Sequence, residues 1–298
     1  MALDWDKLRI FHAVAEAGSF THAGQTLKLS QSAISRQISA LEESLNVPLF
    51  HRHARGLIMT EQGEHLYATV HDVFGKLAAT ERALTDSKGA PVGLLKITCT
   101  VALATSWLAP RIQAFLDLYP EIRVSVIADD ADVSLSMGEA DCAVRLSQPQ
   151  QADLVRRKLM TVHTHVYASQ AYLERYGAPE QPEDLDHHRM IAYGFARRPP
   201  VADINWALYV GREVPEPREP VLEVNNIFAM GRAVSSGIGV AGLPDFITES
   251  VSGLVRILPQ VDGPSYDAYF VYPSELRNSV RLQVFRDFLL SQIPQTPF

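Results

Sequence analysis

Residues 19–50 read SFTHAGQTLKLSQSAISRQISALEESLNVPLF, and this stretch decides the fold of the first part of the chain. Ser19 and Ser30 each precede apolar residues at helical spacing, and serine is a favoured N-cap. Asn46 tolerates the left-handed backbone that ends many helices, and Pro48 prevents the second helix from continuing. Two short helices joined by a tight turn predict a helix-turn-helix.

The second helix of this pair suits the major groove of DNA, which is wide enough to admit an α-helix. The side chains at its start match base edges and phosphates: Ser30, Gln31, Ser32, Ser35 and Arg36. Glutamine pairs with adenine, arginine pairs with guanine or phosphate, and a helix N-terminus adds backbone donors for a phosphate. A solvated polar face on a small helical domain is the competing interpretation, because many helix-turn-helix pairs bind no DNA.

Residues 49–59 form a short basic segment with Gly56 near its middle, which predicts a two-stranded wing. Its candidates for contact with the phosphate backbone or the minor groove are His51, Arg52, His53 and Arg55. Residues 1–62 hold six basic and six acidic groups, so the net charge of −7 lies entirely in the remainder. This distribution permits nucleic-acid binding without requiring it.

A long helix is expected from residue 61 to residue 87, with Thr60 as its cap. At 1.5 Å per residue it is about 40 Å long. Its seam residues recur at spacings of four and three: Leu66, Val70, Val73, Leu77, Thr80 and Leu84. This is the pattern of a coiled coil, so we expect the helix to mediate dimerisation. An amphipathic helix packed on its own chain is the alternative.

Composition indicates a globular protein of two or three domains, with 298 residues, 47% apolar and 20% charged. Two cysteines, Cys99 and Cys142, are too few for a disulfide framework or a four-thiolate metal site. No apolar run approaches the roughly 20 residues of a membrane-spanning helix. The opening MALDWDKLRI lacks the apolar core of a signal peptide. We therefore expect a cytoplasmic protein with no membrane partner.

The body of the chain, after Gly93, alternates strands with helices, which predicts parallel α/β sheets. The predicted strands span residues 94–99, 122–127, 140–146, 162–168, 239–243 and 267–272. The predicted helices span residues 108–118, 170–176, 227–236 and 277–293. The expected fold class is α/β, with a winged helix-turn-helix and a linker helix in front.

Some short patterns suggest other chemistry but lack the necessary context. Residues 237–242 match G-x-G-x-x-G, yet a helical stretch precedes them, so we reject a dinucleotide site. His163 and His165 have no acidic or cysteine cluster beside them in sequence, and we interpret them as satisfied or exposed. No nucleophile, phosphate-loop or metal motif appears, so we expect no enzyme, metal or cofactor. A small-ligand-binding α/β module with a non-specific DNA head is an alternative function.

The sequence resembles the LysR-type transcriptional regulators over essentially its full length. In the first part the resemblance rests on Ala23, Leu27, Ser30 to Ala33, Ser35, Arg36, Ile38, Leu41, Glu42, Leu49, Phe50, Arg52, Thr60 and Gly63. In the body it rests on residues 166–169, 172–173, 177–179, 184–185, 188–189, 237–240, 243–244 and 280–289. Residues 50–64, FHRHARGLIMTEQGE, are most similar to an alphaproteobacterial subgroup that includes the regulators LsrB and VtlR.

The resemblance implies a DNA-binding domain at residues 1–60, a dimerisation helix at 61–87, a linker at 88–92 and an effector-binding domain at 93–298. It implies a body like a periplasmic binding protein, with subdomain one at residues 93–162 and 268–298 and subdomain two at residues 163–267. The residues expected to face the cleft between them are Thr100, Val101, Arg145, Ser147, Tyr193, Phe195, Asn225, Asn226 and Ile227.

The sequence departs from the pattern of the family at three points, one of which is Asn46, where glycine is usual and asparagine also tolerates the left-handed backbone. The family often holds its effector through serine or threonine at the start of the helix after the first sensor strand. Here Val101 and Ala102 leave only Thr100 with a hydroxyl at that point. Gly24 stands where alanine is usual, which costs up to about 1 kcal/mol in helix propensity.

Charged residues near the expected cleft have two interpretations each. Arg145, at a strand end, suits an anion or is simply a surface charge. The aspartates Asp129, Asp130 and Asp132 suit a cationic or amino-bearing effector. A helix cap is the more ordinary role for such a residue, because negative charge is stabilising at a helix start.

The function predicted from these features is an effector-responsive transcriptional regulator that binds a partly palindromic stretch of double-stranded promoter DNA as a homo-oligomer. The resemblance implies a tetramer, a dimer of dimers, that bends DNA. An unknown small-molecule effector acts through different affinities for two states of the protein. A redox-sensing regulator that uses Cys99 and Cys142 is a further alternative, although buried strand cysteines are usually small hydrophobes.

Overall fold

The computed structural model of the chain describes residues 4–53, 56–86, 89–131, 135, 139–146, 154–194, 199–212 and 216–293. The chain divides into two compact units, residues 1–78 and 79–298, which we name the head and the body. Within the described ranges, no helix combines the length and the apolarity needed to cross a membrane. Arg55, Asp132, Ser147 and Phe195 lie outside these ranges; for Arg52, His53 and Leu84 the backbone alone is described.

The head consists of three short helices, a two-stranded wing and most of a long helix. Its elements are α1 (Trp5–Ala17), α2 (Phe20–Leu27), α3 (Gln31–Leu45), β1 (Phe50–His53), β2 (Gly56–Met59) and α4 (Glu61–Asp86). The first three helices begin at Asp4, Ser19 and Ser30, whose side chains accept hydrogen bonds from the first turn. Asn46, at φ 54°, ends α3 in the left-handed region as predicted.

One apolar cluster holds the head together. Phe11 and Val14 of α1 join Ile34, Ile38 and Leu41 of α3, and all five side chains are at most 1% exposed. Full burial of a side chain of this size contributes about 1.5–3 kcal/mol. This face of α3 is therefore fixed inward, and the opposite polar face lies at the surface.

Small residues of α2 allow the turn of the motif to approach closely. Ala23 is fully buried. A Cβ atom on Gly24 would lie 2.7 Å from the carbonyl oxygen of Leu29, which is closer than real contacts of this kind. The turn between α2 and α3 therefore folds directly over Gly24, which accounts for glycine at this helical position.

The wing is bonded to the helices on both sides of it. Glu42 Oε1 on α3 accepts a 2.7 Å hydrogen bond from the backbone N–H of Leu49. The Thr60 hydroxyl donates to the carbonyl of Pro48 (2.8 Å) and accepts from the backbone N–H of Gly63 (3.0 Å). Thr60 thus caps α4, as predicted, while it fixes the strand exit.

Among the described residues, the body contains ten strands and five α-helices. They are β3 (Gly93–Cys99), α5 (Val101–Leu103), a π-helical turn (Ala104–Leu108), α6 (Ala109–Leu118), β4 (Ile122–Ala128), β5 (Cys142–Arg145), β6 (Leu154–Val162), β7 (Thr164–Ser169), α7 (Gln170–Tyr176), β8 (Met190–Tyr193), β9 (Pro220–Val224), α8 (Ile227–Ser235), β10 (Ala241–Pro244), β11 (Leu254–Ile257), β12 (Tyr266–Pro273) and α9 (Val280–Gln292). Short 3₁₀ turns occupy Pro182–His187, Trp206–Leu208, Asp245–Glu249 and Ser274–Leu276.

These strands form three sheets. A five-stranded sheet has the order β4-β3-β5-β12-β6, a three-stranded sheet has the order β10-β7-β11, and β8 pairs with β9. The pairs β3–β4, β3–β5 and β8–β9 are parallel. β12 runs antiparallel to β5 and β6, and β7 runs antiparallel to β10 and β11.

The prediction of parallel sheets is therefore wrong for part of the body, because the five-stranded sheet is mixed and the three-stranded sheet is antiparallel. Alternating strands and helices do not report the direction of a strand that pairs across a long sequence separation, as β12 does. The strand predicted at residues 162–168 is two strands, β6 and β7, interrupted at His163. The first part of β6 and all of β8, β9 and β11 were not expected.

Large aromatic side chains fill the core of the body. Trp107, Phe115, Phe246, Phe270 and Phe285 are fully buried within one continuous apolar cluster. Phe115 meets Phe285 edge-on with 5.2 Å between ring centroids, a favoured aromatic geometry. The cluster includes residues of the five-stranded sheet and of the segments between β6 and β12, so the two parts of the body share a core.

Candidate DNA-binding surface and effector site

The start of α3 presents a polar face to solvent. Gln31, Ser32 and Arg36 are exposed, and Ser35 is half-buried. Ser30 acts as the N-cap, since its hydroxyl oxygen accepts a 3.2 Å hydrogen bond from the backbone N–H of Ala33. The hydroxyl of Ser30 is thus engaged in its own helix and also lies 3.1 Å from Ser32 Oγ, whereas the side chain of Gln31 extends from the surface.

Arg36 is held at the surface by its own helix. Its Nε donates a 3.3 Å hydrogen bond to the carbonyl of Ser32. In the wing, β1 and β2 form an antiparallel hairpin in which His51 pairs with Ile58 and its side chain is exposed. Lys28, exposed at the end of α2, is a further basic residue beside α3 that the sequence interpretation did not include.

The predicted seam residues on the linker helix α4 have two different environments, because some pack in the head and others are exposed. Val70 is 4% exposed and belongs to the apolar cluster of the head, with Leu66 packed against the same cluster. Val73 and Leu77 are 39% and 50% exposed. The predicted dimer seam is therefore wrong for Val70, because the spacing of four and three also suits a helix packed on its own chain. Thr80 is exposed on the same side as Leu77.

The polar end of the candidate effector site lies at the carboxyl end of β3. The backbone N–H of Val101, at the first turn of α5, donates a 2.9 Å hydrogen bond to Asp130 Oδ1. Asp130 therefore serves as a helix cap, the more ordinary of its two predicted roles. The Thr100 hydroxyl is buried and has no hydrogen-bonding partner among the described residues beyond a weak contact with the Cys99 thiol.

Arg145 is buried beside this helix start, at 5% exposure. Its guanidinium donates to the carbonyl of Asp129 (2.6 Å) and to the hydroxyl of Thr98 (2.7 Å). The interpretation of Arg145 as a surface charge is therefore wrong. The group instead connects the end of β5 to β3 and to the segment after β4, and it places a positive charge near Asp130.

Tyr193, the last residue of β8, borders the candidate site. It is 3% exposed and its hydroxyl bonds to the carboxylate of Asp130. Burial raises the pKa of Asp130, against the hydrogen bond from Val101 and the charge of Arg145, which both lower it. Burial also raises the pKa of Tyr193, and the carboxylate of Asp130 raises it further. The phenol therefore stays protonated and donates to the carboxylate.

Asn225, Asn226 and Ile227 have three different environments. The Asn226 side chain accepts a 2.9 Å hydrogen bond from the backbone N–H of Ala229, so it caps α8. Asn225 is exposed. Ile227 is 8% exposed and lines a small apolar cavity of about 40 Å³ together with Leu146.

A larger cavity of about 480 Å³ lies beside Tyr193 and shares Ile204 and Trp206 with the small one. Asp203 and Asn205 also line it. Its size is within the range of pockets that hold small molecules. The sequence interpretation did not include Trp206 or Ile204, because both follow a segment without regular periodicity.

Polar contacts away from Asp130 join two helical segments of the body. The Ser250 hydroxyl donates to Ser106 Oγ at 2.7 Å. Arg111 pairs with Glu249 at 3.0 Å. These contacts connect the helical segment after β3 to the 3₁₀ turn after β10.

The cysteines lie deep in the five-stranded sheet. β3 and β5 are neighbours, as expected, and both thiols are fully buried. Burial raises the pKa of Cys99 to about 12 and that of Cys142 well above its usual value. The reactive thiolate is therefore scarce at neutral pH, which is unfavourable for a redox sensor.

The other sequence patterns have structural roles. His165 Nδ1 lies 2.7 Å from Asp245 Oδ1, and His163 Nδ1 lies 2.8 Å from Ser265 Oγ. Both histidines thus have partners, in agreement with their interpretation as satisfied. Gly237, at φ 81°, follows the end of α8 and leads towards β10, so the glycine motif opens no helix.

Comparison with known proteins gives consistent matches along the whole chain. The model of the bacterial regulatory helix-turn-helix proteins of the lysR family matches residues 5–64, and that of the LysR substrate binding domain matches residues 88–294. An HTH-type transcriptional regulator of Xanthomonas campestris pv. campestris is 32% identical, over 98% of this chain and 86% of the relative.

Two solved full-length structures are similar. CrgA, a LysR-type transcriptional regulator of Neisseria meningitidis, has a TM-score of 0.62 and 27% identity, covering 98% of this chain and 99% of its own. AphB, a virulence activator of Vibrio cholerae and a LysR-type protein, has a TM-score of 0.62 and 26% identity, covering 97% of this chain and 99% of its own.

These relatives come from gamma- and betaproteobacteria, so they give no support to the alphaproteobacterial subgroup. The two family models together span most of both units. The chain therefore belongs to the LysR family and is a transcriptional regulator with a helix-turn-helix DNA-binding domain and an effector-binding domain.

Proposed function

We propose that α3 reads promoter DNA in the major groove through Gln31, Ser32, Ser35 and Arg36. The observation that carries this proposal is the exposed polar start of α3, which is held outward by the fully buried Ile34 and Ile38 on its other face. Ser30 orients the first turn and leaves backbone donors near a phosphate. The wing residues His51, Arg52, His53 and Arg55 contact the backbone beside the groove.

We further propose that α4 pairs two chains through Val73, Leu77 and Leu84, with Leu66 at the margin. The exposure of Val73 and Leu77 supports this role, because a regular stripe of exposed apolar side chains on a long helix is typical of a partner contact. A two-fold dimer places two copies of α3 about one helical turn apart on DNA. Two such dimers form the expected tetramer.

For the body, we propose that the effector binds around Thr100, Val101, Arg145 and Tyr193, with its apolar part towards Ile204 and Trp206. The buried Thr100 hydroxyl supports a ligand contact, because a buried polar group without a full partner is costly. Asp130 already supplies a carboxylate at the start of α5. The effector therefore carries a neutral or amino head group rather than a second carboxylate. Ser147, Phe195, Asn225, Asn226 and Ile227 form the remainder of the predicted site.

The experiment for DNA binding is the selection of duplexes from a random pool at moderate salt. Enrichment of a spaced, two-fold symmetric motif is expected for the wild-type chain. Arg36→Ala should abolish the enrichment, whereas Arg123→Ala, at an exposed position of the body, should leave it intact. Uniform recovery by the wild-type chain would instead favour the ligand-binding module with a non-specific head.

The head-group preference is tested with matched aromatic probes. Benzylamine, benzyl alcohol and benzoate differ only in that group, and each is titrated against the full chain by calorimetry. We expect Asp130→Asn to improve the relative affinity for benzoate by at least tenfold, because the variant removes the resident negative charge. An unchanged ranking of the three probes would remove Asp130 from the site.

Three finer assignments complete the proposal. The narrower resemblance to the LsrB and VtlR subgroup rests on residues 50–64 alone and stays a prediction. A regulator of promoter DNA works in the cytoplasm, where the bacterial chromosome lies. The proposed roles of the residues named above include no catalytic step.

A further inference from the structure

Two histidines and a glutamate meet where α4 packs on α1. His12 Nε2 lies 2.5 Å from His71 Nδ1. The Glu16 carboxylate lies 3.6 Å from His12 Nδ1 and 3.8 Å from His71 Nδ1. One donor atom from each residue falls within 4.8 Å of the other two. Among the described residues, this is the group of histidine, cysteine and acidic side chains that has the spacing of a metal site.

The sequence explains how the three donors converge. His12 and Glu16 are four residues apart on α1, so they lie on the same face of that helix. His71 comes from α4, on the face that buries Val70 against the head. Because 59 residues separate His12 from His71, no local sequence pattern predicts the cluster.

The surroundings of the cluster suit metal binding. His71 is 8% exposed, and its ring lies 5.0 Å from that of Tyr67. The ring of Phe74 lies 5.2 Å from that of His12. These apolar walls limit access of water on one side, while Glu16 leaves the other side open to solvent. Neutral imidazoles are the form that binds metal ions.

We propose that His12, Glu16 and His71 bind one transition-metal ion of the zinc class. Two imidazole nitrogens and one carboxylate oxygen are a common three-ligand set for zinc and leave a fourth position for water. Nitrogen ligands of tetrahedral zinc lie about 3.3 Å apart, given Zn–N distances of 2.0–2.1 Å. The two rings therefore separate by less than about 1 Å from their present contact. The proton between them moves to the other nitrogen of its own ring as the metal binds, so both imidazoles stay neutral.

The position of the site connects metal binding to the function proposed above. The ion fixes α4 to α1, which packs on α3 through Phe11 and Ile34. Val73 and Leu77 lie on the same helix, so the metal stiffens the connection between the proposed dimer contact and the proposed reading helix. This consequence rests on the proposed function, whereas the metal site itself does not.

The test is a titration of the full-length, tag-free and chelator-treated chain with Zn²⁺ by calorimetry and with Co²⁺ by visible absorption. One tight equivalent per chain is expected, with a ligand-field spectrum for Co²⁺. His71→Gln and Glu16→Gln should each weaken binding at least tenfold, because even loss of an outer partner of a ligand costs about that much. His65→Gln, at an exposed position of the same helix, is the matched control and should bind as the wild type does.

Two results would overturn the proposal. One is the absence of a saturable equivalent in the wild-type chain, and the other is equal affinity in the wild type and both Gln variants. Glu16 is half-exposed, at 51%, so Glu16→Gln tests the site even where the buried His71→Gln variant fails to fold. The titration contains no DNA, so a failure of the proposed DNA binding cannot affect its result.

Discussion

The backbone N–H of Val101 donates to Asp130 Oδ1 at 2.9 Å, so this chain supplies its own carboxylate at the start of α5. A helix start offers unpaired N–H donors and a positive end of the helix dipole, both of which favour an anion. In this protein an aspartate of the chain occupies that position. The Tyr193 phenol, at the end of β8, bonds to the same carboxylate. Asp130 therefore links the start of α5 to β8.

This relationship makes the stability of the body depend on the charge of Asp130. Burial raises the pKa of Asp130 above its ordinary value of 3.8, so the folded state binds the proton more tightly than the unfolded state does. The contribution of Asp130 to stability is therefore complete below pH 3.8 and is lost as the pH rises through the raised pKa. Chemical denaturation of the wild type and of Asp130→Asn, from pH 4 upward, measures this contribution.

The free energy of unfolding of the wild type should fall relative to that of Asp130→Asn as the pH rises through this window. Asp117→Asn, at an exposed position of α6, serves as the control and should run parallel to the wild type. If the difference in the free energy of unfolding between the wild type and Asp130→Asn stays constant with pH, the pKa of Asp130 is not raised.

Local features of the head could be predicted from the sequence, because they depend on neighbouring residues. Ser30 and Asn46 bound α3 as expected, since capping is decided within one turn. The prediction that Val70 contacts a second chain is wrong. The same spacing of apolar residues allows α4 to pack on a second chain or on α1 of its own chain. The cluster of His12 and His71 could not be found, since nothing in a local pattern reports a contact between residues 59 positions apart.

The site in the body also depends on contacts that local sequence patterns do not predict. Thr100 and Arg145 are predicted near the cleft, but the partners of Arg145 come from β3 (Thr98) and from the segment after β4 (the carbonyl of Asp129). Strand order and direction decide these contacts, and the hydrophobic pattern of a single strand contains neither. The sequence does not predict Trp206 as a site residue. Its position depends on packing against Gly242 and Gly263 and not on a periodic pattern.

Arg145→Met should destabilise the body by about 3–6 kcal/mol. The substitution keeps most of the apolar volume but removes two charge-assisted hydrogen bonds, each worth about 1.5–3 kcal/mol, and leaves Asp130 without a nearby positive charge. Urea denaturation measures the loss. Arg123→Met, at an exposed position of β4, should change the stability by no more than about 0.5 kcal/mol. Equal stability of the two variants would show that the contacts of Arg145 contribute little.

Gly63→Ala should destabilise the head by about 1–3 kcal/mol, the usual cost of overpacking. An added Cβ atom would overlap the carbonyl oxygen of Leu49, and Thr60 Oγ1 lies 3.3 Å from the same point. The wing therefore has to move away from α4, despite the better helix propensity of alanine. Thermal unfolding gives the magnitude, and Gln62→Ala, on the exposed side of α4, is the control. A more stable Gly63→Ala variant would contradict the close approach.

Cys99 and Cys142 should react with iodoacetamide at negligible rates in the native chain. With the pKa of Cys99 raised to about 12, only about one thiol in ten thousand is ionised at pH 8. Both thiols should react fully in 6 M guanidinium chloride, which serves as the positive control. Mass spectrometry of the labelled chain counts the modified sites. Rapid labelling of either cysteine without denaturant would support the alternative that the protein is a redox-sensing regulator.

Leu77→Glu should dissociate the dimer, because it places a charge in the proposed contact between two copies of α4. Leu77 is 50% exposed, so the free energy of unfolding of an isolated head should change little. Val70→Glu should instead unfold the head, because Val70 is 4% exposed in its apolar core. Sedimentation velocity at micromolar concentration distinguishes dissociation of the dimer by Leu77→Glu from unfolding of the head by Val70→Glu. Leu118→Glu, at a position 64% exposed in the body, controls for the added charge. A sedimentation coefficient of Leu77→Glu equal to that of the wild type would exclude this stripe of α4 from the dimer contact.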